Sequence, residues 1–214
     1  MCKMNLRSNK YSGKLIVFEG TDGAGKTTMI SMTEKYLKDK LGASNIIEVK
    51  QPTDLSRKTK LFQKMMYSET HDDIDYRAVQ LLTMSDRIQH CFEIIGPALK
   101  AGKTVICDRY VYTSLANMLA RGYDNETWFF DVAKHIICPN ITFLAYVPPE
   151  IAISRIKNRP SESERYLDER LLHNVAGQFL KMAEREGFIV LNTLEQASVA
   201  FEQVKEKLIK MGNL

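Results

Sequence analysis

Cysteine is scarce in this chain of 214 residues, and none of its four cysteines lies in a Cys-x-x-Cys pair. That spacing argues against a zinc site and against a dithiol redox motif. Cys107 and Cys138 lie in or beside apolar runs, so we expect small buried thiols in a reducing cytoplasm. The cysteines therefore offer no metal-ligand set and no candidate nucleophile.

Long apolar runs and basic runs are also missing. No apolar run approaches the ~20 residues that a membrane-spanning helix needs. The polar and basic start of the chain has no apolar centre of the kind found in secretory signals. The net charge of +4 is modest and is not concentrated in one basic run, so a nucleic-acid partner is not predicted. We expect a cytoplasmic protein whose charge balance suits a small anionic ligand.

Short, β-rich apolar segments recur along the chain with helical patterns between them. Strands separated by helices indicate an α/β fold, with a parallel sheet covered by helices on both faces. In such sheets, ligands bind outside the carboxyl ends of the strands. The predicted strands are residues 14–18, 45–50, 104–108, 140–147 and 187–191.

The chain length favours one compact domain. A chain of 214 residues can bury one sizeable core and is short for two full domains. We therefore expect a single domain at 14–214 after a flexible N-terminal arm at 1–13. The helical patterns cover residues 26–40, 54–68, 74–99, 113–121, 150–157 and 197–211.

The segment 20–27 reads Gly-Thr-Asp-Gly-Ala-Gly-Lys-Thr and matches G-x-x-x-x-G-K-[ST] between a predicted strand and a predicted helix. Glycines allow backbone N–H groups to surround phosphate oxygens at distances that a side chain would block. We expect Lys26 to reach the β- and γ-phosphates of ATP and the Thr27 hydroxyl to coordinate Mg²⁺. The pattern predicts a P-loop NTPase fold with a five-stranded parallel sheet. The predicted ATP-binding residues are Gly20, Thr21, Asp22, Gly23, Ala24, Gly25, Lys26, Thr27 and Thr28, with Asn192 from the end of the last strand.

Charged residues stand where ligands bind in this fold. Asp108 ends the third predicted strand and can face Mg²⁺ or its water shell, so it joins Thr27 as a predicted metal ligand. Arg109 follows it and can grip a phosphate through two hydrogen bonds. Asp22 lies inside the loop, where phosphates would repel it unless it faces the metal or another ligand. A solvated turn residue is the alternative for Asp22.

Residues 155–168 are polar, arginine-rich and interrupted by Pro160, a composition typical of a mobile loop between helices. Negative charge on a transferring phosphoryl group needs nearby cations, and closure of such a loop excludes water. We therefore predict a short lid at 155–168 with Arg159 and Arg165 as the candidate catalytic arginines. A solvated charged face is the alternative.

Several motifs together resemble those of the thymidylate kinases, over essentially all of residues 14–210. The loop with its internal acid, Asp22, is similar to the family's P-loop, and Asp108-Arg109-Tyr110 is similar to its D-R-Y/H motif. The segment 81–90 resembles the family helix that carries a base-contacting arginine. The arginine-rich lid resembles that of the bacterial type.

The resemblance implies transfer of the γ-phosphoryl group of ATP to the 5′-phosphate of a nucleoside monophosphate, foremost dTMP, with Mg²⁺ and in a homodimer. By position, Arg109 would hold the acceptor phosphate, Arg87 the base, and Asp22 the sugar 3′-hydroxyl or the transfer geometry. The implied catalytic residues are Lys26, Asp22, Arg109, Arg159 and Arg165. The implied acceptor-binding residues are Asp22, Gln51, Pro52, Phe62, Thr83, Arg87, Arg109, Ser114, Asn117 and Met118.

The acceptor side departs from the family pattern. Thr83 stands where an aromatic residue stacks on thymine, and Asn117-Met118 stands where the family has Tyr-Gln. Phe62 replaces an arginine that touches the acceptor phosphate, and Arg57 or Lys58 from a neighbouring turn is the alternative contact. The candidates for a replacement aromatic wall are Phe62, Tyr67, Tyr110 and Tyr112.

These departures keep two other functions open. One is the same ATP chemistry on a different nucleotide, on a nucleoside or on a phosphorylated metabolite. The other is nucleotide binding without phosphoryl transfer, against which the intact Lys26, Thr27, Asp108 and Arg109 count.

Overall fold

Five parallel strands form one sheet in the computed structural model, which describes residues 4–159 and 166–212. The strand order is β2-β3-β1-β4-β5, so the predicted parallel α/β sheet is confirmed. Phe18 of β1 pairs with Asp108 of β3 and with Phe143 of β4, which brings the carboxyl ends of the three central strands together. The strands are β1 (Lys14–Glu19), β2 (Ile46–Lys50), β3 (Thr104–Asp108), β4 (Ile141–Tyr146) and β5 (Ile189–Asn192).

Helices connect successive strands and account for most of the remaining described residues. None of the helices in the described part of the chain combines the length and apolar character needed to cross a membrane. The helices are α1 (Lys26–Leu41), α2 (Asp54–Arg57), α3 (Lys60–Tyr67), α4 (Tyr76–His90), α5 (Gly96–Lys100), α6 (Val111–Ala120), α7 (Thr127–Ala133), α8 (Pro149–Lys157), α9 (Glu169–Glu186) and α10 (Ala197–Lys210).

Two long predicted helices are broken in the structure. The 54–68 pattern divides into α2 and α3 because Thr59 is extended and its side chain accepts the first hydrogen bond of α3 from the Phe62 N–H. The 74–99 pattern passes from α4 into a π-helical turn, Cys91–Ile95, before α5 begins. Helices α7 and α9 were not among the predicted helices. The α2–α3 break matters for the site because it creates a turn beside β2.

The sheet carries an apolar core on each face. Leu15 and Val17 of β1 join one core with residues of α4, α6 and α9, while Ile16 and Phe18 join a second core with residues of α1 and α10. This alternation follows from the two-residue period of a strand. The predicted cover of helices on both faces is confirmed.

The N-terminal segment packs against the domain. Met4 is buried, and its N–H donates to the Glu186 carboxylate at 3.1 Å. Arg7 forms a bridge with Ile137 in the segment before β4. Residues 4–7 thus contact α9 and the segment before β4, and the flexibility of the arm at 1–13 stays a prediction.

Candidate active site

The glycine-rich loop joins β1 to α1 in the backbone conformations that its sequence predicts. Gly20, Gly23 and Gly25 all have positive φ, at 136°, 77° and 84°. A Cβ on Gly20 would lie 2.4 Å from the Ala145 carbonyl oxygen, and one on Gly23 would lie 2.3 Å from that of Ala152. Glycine is thus required both by backbone conformation and by close packing against β4 and α8. The result is a tight loop that ends at the N-terminus of α1, where backbone N–H groups favour an anion.

Lys26, the first residue of α1, is buried beneath this loop. Its ammonium group donates to the carbonyl oxygens of Gly20 at 2.9 Å and Thr21 at 2.7 Å. Burial, followed by the positive charge of Arg109, lowers the pKa of Lys26 to about 8. Lys26 therefore loses its proton more readily than an exposed lysine does. A polyphosphate bound in the loop would stabilise the protonated form.

Arg109 reaches the loop from the end of β3. Its guanidinium donates to the Gly20 carbonyl oxygen at 3.0 Å and forms an ion pair with Asp22. Asp22 is partly exposed, whereas most of the Arg109 side chain is shielded from solvent. The structure thus brings together the loop acid, the loop lysine and the strand-end arginine, as the sequence predicts.

A buried carboxylate fixes the turn that carries Arg109. Glu19 is fully buried, and its Oε1 accepts from the backbone N–H groups of Tyr110 at 2.8 Å and Thr113 at 3.0 Å. Arg109 has a φ of 65° and is the only non-glycine residue with positive φ in the described part of the chain. Burial raises the pKa of Glu19, against hydrogen bonds and nearby arginines that lower it. The sequence places Glu19 at a strand end but gives no signal for this clamp.

The two predicted metal ligands lie at the same edge of the sheet. Thr27 is exposed on the first turn of α1. One carboxylate oxygen of Asp108, Oδ1, is buried and has no hydrogen-bond partner among the described residues, while Oδ2 lies 3.5 Å from the Lys50 ammonium. An unpartnered buried carboxylate oxygen fits a divalent cation or its water shell. The donor set at this position is therefore compatible with Mg²⁺.

A cavity of about 640 Å³ opens beside the loop, between the β2 edge and helices α3, α4, α6 and α9. Asp22 and Arg109 line its inner end, so it adjoins the phosphate loop directly. The volume suits a small-molecule ligand. The predicted acceptor residues that line it are Asp22, Pro52, Phe62, Thr83, Arg87, Arg109, Ser114 and Asn117.

Two predicted acceptor residues lie outside the cavity lining. Met118 is buried in the core and does not line the cavity, and it is rotated by about 100° around α6 from its cavity-lining neighbour Asn117. Gln51 is fully buried, and its side-chain amide lies 3.1 Å from the His90 ring. The structure therefore does not support contact of either residue with an acceptor.

The aromatic wall also differs from the prediction. Phe62 and Tyr67 line the cavity, but Tyr110 and Tyr112 belong to the core. The Tyr110 hydroxyl is buried and donates to the Ile137 carbonyl oxygen at 2.8 Å. Tyr166, which lies within the predicted lid segment, lines the cavity and was not predicted as a lining residue.

The floor of the cavity is polar. Thr83 donates to the Gln80 carbonyl oxygen at 3.1 Å and lies 3.4 Å from the Ser114 hydroxyl. Arg87 is 1% exposed, and one of its terminal nitrogens donates to the Tyr110 carbonyl oxygen at 3.0 Å. Its Nε and Nη1 have no partner among the described residues. Buried N–H donors are costly when unpaired, so the floor favours a ligand with acceptor oxygens.

A further arginine, Arg121, borders the cavity at the C-terminal end of α6. The Arg121 guanidinium lies 3.9 Å from the centre of the Tyr76 ring and donates to the Asn117 side-chain oxygen at 2.9 Å. Tyr76 and Arg121 both line the cavity. Neither was predicted, because their pairing depends on how α4 and α6 pack.

On the opposite side of the loop, β5 contributes a different residue from the predicted one. Asn192 is exposed, and its side-chain amide donates to Glu195 at 3.2 Å. Thr193, the next residue, donates to the Ala24 carbonyl oxygen at 2.6 Å. Arg155 of α8 links the Gly23 and Thr193 carbonyl oxygens at 3.3 and 3.1 Å. Thr193 and Arg155 thus support the loop, while a contact of Asn192 with ATP stays a prediction.

The predicted lid lies only partly within the described residues. Arg159 follows α8 and is exposed. Arg165 lies outside the described residues. The catalytic roles of the two arginines stay predictions.

Comparison with known proteins gives a consistent result. A family model described as thymidylate kinase matches residues 18–206. A probable thymidylate kinase of Pyrococcus horikoshii is 38% identical over 175 residues, covering 80% of this chain and 83% of the relative. The thymidylate kinase of Geobacillus sp. strain WCH70 is 36% identical over 179 residues, covering 81% and 84%. The crystal structure of thymidylate kinase from Ehrlichia chaffeensis has a similar fold, with a TM-score of 0.68 and 22% identity over 92% of this chain and 98% of that one.

Proposed function

Because the chain belongs to the thymidylate kinase family, we propose that it transfers the γ-phosphoryl group of ATP to the 5′-phosphate of dTMP, giving dTDP and ADP. The observation that carries this proposal is the junction of two sites. The phosphate loop and the cavity of about 640 Å³ share Asp22 and Arg109. A donor in the loop and an acceptor in the cavity would therefore meet at these two residues.

The loop would bind and orient the donor. Backbone N–H groups between Gly20 and Thr28 surround the β- and γ-phosphates, and the Lys26 ammonium neutralises charge on the transferring group. Thr27 and Asp108 would hold Mg²⁺, which supplies further neutralisation between the phosphates. Stabilisation of charge in a site that excludes water is the main catalytic contribution in this class of reaction.

The cavity would bind the acceptor. The unpaired N–H groups of Arg87 suit the carbonyl oxygens of a pyrimidine, and the hydroxyls of Thr83 and Ser114 can both donate and accept. Arg109 would hold the acceptor phosphate at the inner end. Asp22 would either contact the sugar 3′-hydroxyl or keep Arg109 in position through their ion pair.

An acceptor panel tests the proposal. ADP release from ATP is measured with dTMP, dUMP, dCMP, dGMP, dAMP and their ribonucleotide forms. We expect turnover to depend on a monophosphate and to be fastest with dTMP. If none of these compounds supports ADP release, the proposed reaction is overturned.

The polar floor supports a second candidate, the same transfer to another nucleotide or phosphorylated metabolite. Thr83 offers a hydroxyl where a stacking ring would add about 0.5–1.5 kcal/mol, and Ser114 lies beside it. The panel separates the two candidates. Efficient turnover of dTMP at micromolar half-saturation favours dTMP, whereas preference for another member identifies the other acceptor.

We also propose that residues 14–214 act as one domain in a cytoplasmic homodimer. Exposed apolar side chains support the dimer, because Leu81 and Phe92 are 52% and 76% exposed on α4 and the turn that follows it. Such residues on one helix face are typical of interaction surfaces. Cell fractionation tests the compartment, and the oligomeric state has its own test below.

A further inference from the structure

Arg57 is the last residue of α2, in the turn that separates α2 from α3, and its backbone is fixed on both sides. Its N–H donates to the Thr53 carbonyl oxygen at 3.0 Å, and its own carbonyl oxygen accepts from the Gln63 side chain at 2.6 Å. Thr53 is in turn anchored to α4, because its N–H and hydroxyl both donate to the Asp86 carboxylate, at 2.7 and 2.8 Å. The turn is therefore rigidly attached to the helix that forms the cavity floor.

The Arg57 side chain is directed into the cavity. Its Nε donates to the Pro52 carbonyl oxygen at 2.6 Å, and its guanidinium carbon lies 5.8 Å from the centre of the Phe62 ring. Arg57, Pro52 and Phe62 all line the cavity. One hydrogen bond and one ring therefore orient the guanidinium, and its two terminal nitrogens take part in none of the hydrogen bonds or ion pairs among the described residues.

Arg57 and Arg109 reach the same cavity from different elements. Burial, followed by the positive charge of Arg109, lowers the pKa of Arg57, and the carboxylates of Asp108 and Asp22 oppose the shift. The hydrogen bonds of Arg109 already go to the Gly20 carbonyl oxygen, the Thr113 hydroxyl and Asp22. Two cations that converge in one partly buried cavity favour an anion between them. Of the two, Arg57 has the larger number of unpaired terminal N–H groups to bind it.

We propose that Arg57 binds the 5′-phosphate of the acceptor, as the main phosphate-binding side chain beside Arg109. This inference rests on the proposed function, since it assigns a ligand group to the same cavity. The neighbouring Lys58 does not take this role. It is exposed, lies outside the cavity lining and pairs with Asp54 at 2.8 Å.

The test separates binding of the phosphate from binding of the nucleoside. For the wild-type protein and for Arg57→Ala, Arg57→Lys and Lys58→Ala, the dissociation constant of dTMP is measured by calorimetry. The inhibition constant of thymidine, which lacks the phosphate, is measured by competition with dTMP. Thermal unfolding of each variant reports whether the fold is kept, and the half-saturation for ATP reports on the donor site.

We expect Arg57→Ala to weaken dTMP binding by about ten- to a hundredfold, as for the loss of a charge-assisted hydrogen-bonded pair. Thymidine inhibition and ATP half-saturation should change by less than about twofold, because neither involves the acceptor phosphate. Arg57→Lys should recover part of the dTMP affinity, because it keeps the charge without the planar fork. Lys58→Ala should bind both ligands like the wild type.

The outcomes are distinguishable. Equal weakening of dTMP and thymidine by Arg57→Ala would show that the residue only supports the cavity, and unchanged dTMP binding would exclude it from the phosphate site. An effect of Lys58→Ala in place of Arg57→Ala would assign the phosphate to the other cation. If the wild-type protein neither binds nor phosphorylates dTMP, the proposed function itself fails.

Discussion

At the residue scale, Lys26 connects the geometry of the loop with its dependence on pH. The pKa of Lys26 is lowered to about 8, mainly by burial. Only the ammonium form neutralises phosphate charge, and a rise in pH through this pKa removes the proton from the free protein. Affinity for ATP should therefore fall by about tenfold per pH unit above the pKa.

Calorimetric titration with ATP between about pH 7 and 10 measures this dependence. The Lys26→Arg variant is the control, because a guanidinium stays protonated over the whole range and should remove the inflection. The wild-type kcat should decline less than kcat/KM, since bound phosphate raises the pKa of the lysine. If the wild-type affinity for ATP stays constant beyond pH 9.5, about 1.5 units above the lowered pKa, the titration of Lys26 does not control ATP binding.

Glu19 holds the turn that carries Arg109 through two backbone hydrogen bonds. Glu19→Ala leaves the buried N–H groups of Tyr110 and Thr113 without their acceptor, at a cost of about 1–3 kcal/mol each. It should also loosen the turn that carries Arg109 and so raise the half-saturation for dTMP more than that for ATP. Urea unfolding and steady-state kinetics measure the two effects.

Two variants test whether the clamp on the turn is the cause. Glu19→Gln keeps an oxygen for both N–H groups and should recover much of the stability. Glu48→Ala removes an exposed carboxylate from β2, so it should change the unfolding free energy by no more than about 0.5 kcal/mol. Equal losses in the Glu19 and Glu48 variants would show that the turn does not depend on Glu19.

Sequence predicts residues well where the local backbone dictates them. Gly20, Gly23 and Gly25 could be assigned because a phosphate loop needs glycine at that spacing, and the structure gives all three positive φ. Asn117 and Met118 were predicted together because α6 is apolar on most sides, so the sequence does not show that Asn117 lines the cavity and Met118 lies in the core. The role of a residue beside a cavity thus depends on helix rotation, which requires the packed structure.

At the element scale, the loop and α8 are in direct contact through Gly23. A Cβ at this position would lie 2.3 Å from the Ala152 carbonyl oxygen, and φ is already 77°. Gly23→Ala should therefore destabilise the protein by at least about 1–2 kcal/mol, the cost of a left-handed backbone alone, and should weaken ATP binding by shifting the loop from α8.

Gly177→Ala is the matched control. Gly177 lies inside α9, and a Cβ there would meet nothing within 4 Å. Alanine in a helix interior is favoured over glycine by about 1 kcal/mol, so this variant should be neutral or more stable. Denaturant unfolding and ATP titration of both variants measure the difference. Wild-type ATP affinity in Gly23→Ala would show that the loop tolerates displacement from α8.

The elements themselves differ in how far sequence could predict them. The strands follow from short β-rich runs and were placed within a few residues. Parallel strands are buried on both faces, so each one appears in the sequence as a nearly continuous apolar run. The end of α2 was missed because Thr59 adopts an extended conformation and caps the start of α3 within a pattern that is otherwise helical. That turn carries Arg57, so the missed boundary is also the reason why the sequence could not choose between Arg57 and Lys58.

At the scale of the whole molecule, the acceptor cavity is an assembly of distant segments. Residues of α2, α3, α4, α6, α9 and the segment before α9 line it, and their order along the chain gives no distances between them. The family resemblance picked out the floor residues Thr83, Arg87 and Ser114, and all three line the cavity. It could not predict the pairing of Tyr76 with Arg121, which depends on how α4 and α6 pack.

The oligomeric state is the last property at this scale that can be tested from the described surface. Leu81 and Phe92 are separated by eleven residues, about three helical turns, so they lie on one side of α4 and its continuation. Phe92→Asp would place a charge in the centre of the proposed interface and should weaken dimerisation by at least about thirtyfold. Light scattering at micromolar protein should then give the chain mass for the variant and twice the chain mass for the wild type.

Ile209→Asp is the control for this last prediction, because Ile209 is 60% exposed on α10, away from α4. It should remain a dimer, since an added charge on a solvated face costs little association energy. A monomeric wild-type protein would overturn the dimer. If the Phe92→Asp variant dimerises as tightly as the wild type, the interface lies on another face.

Because α4 also carries Thr83 and Arg87, dimerisation through this helix would stabilise the cavity floor. Phe92→Asp should therefore raise the half-saturation for dTMP along with the monomer fraction.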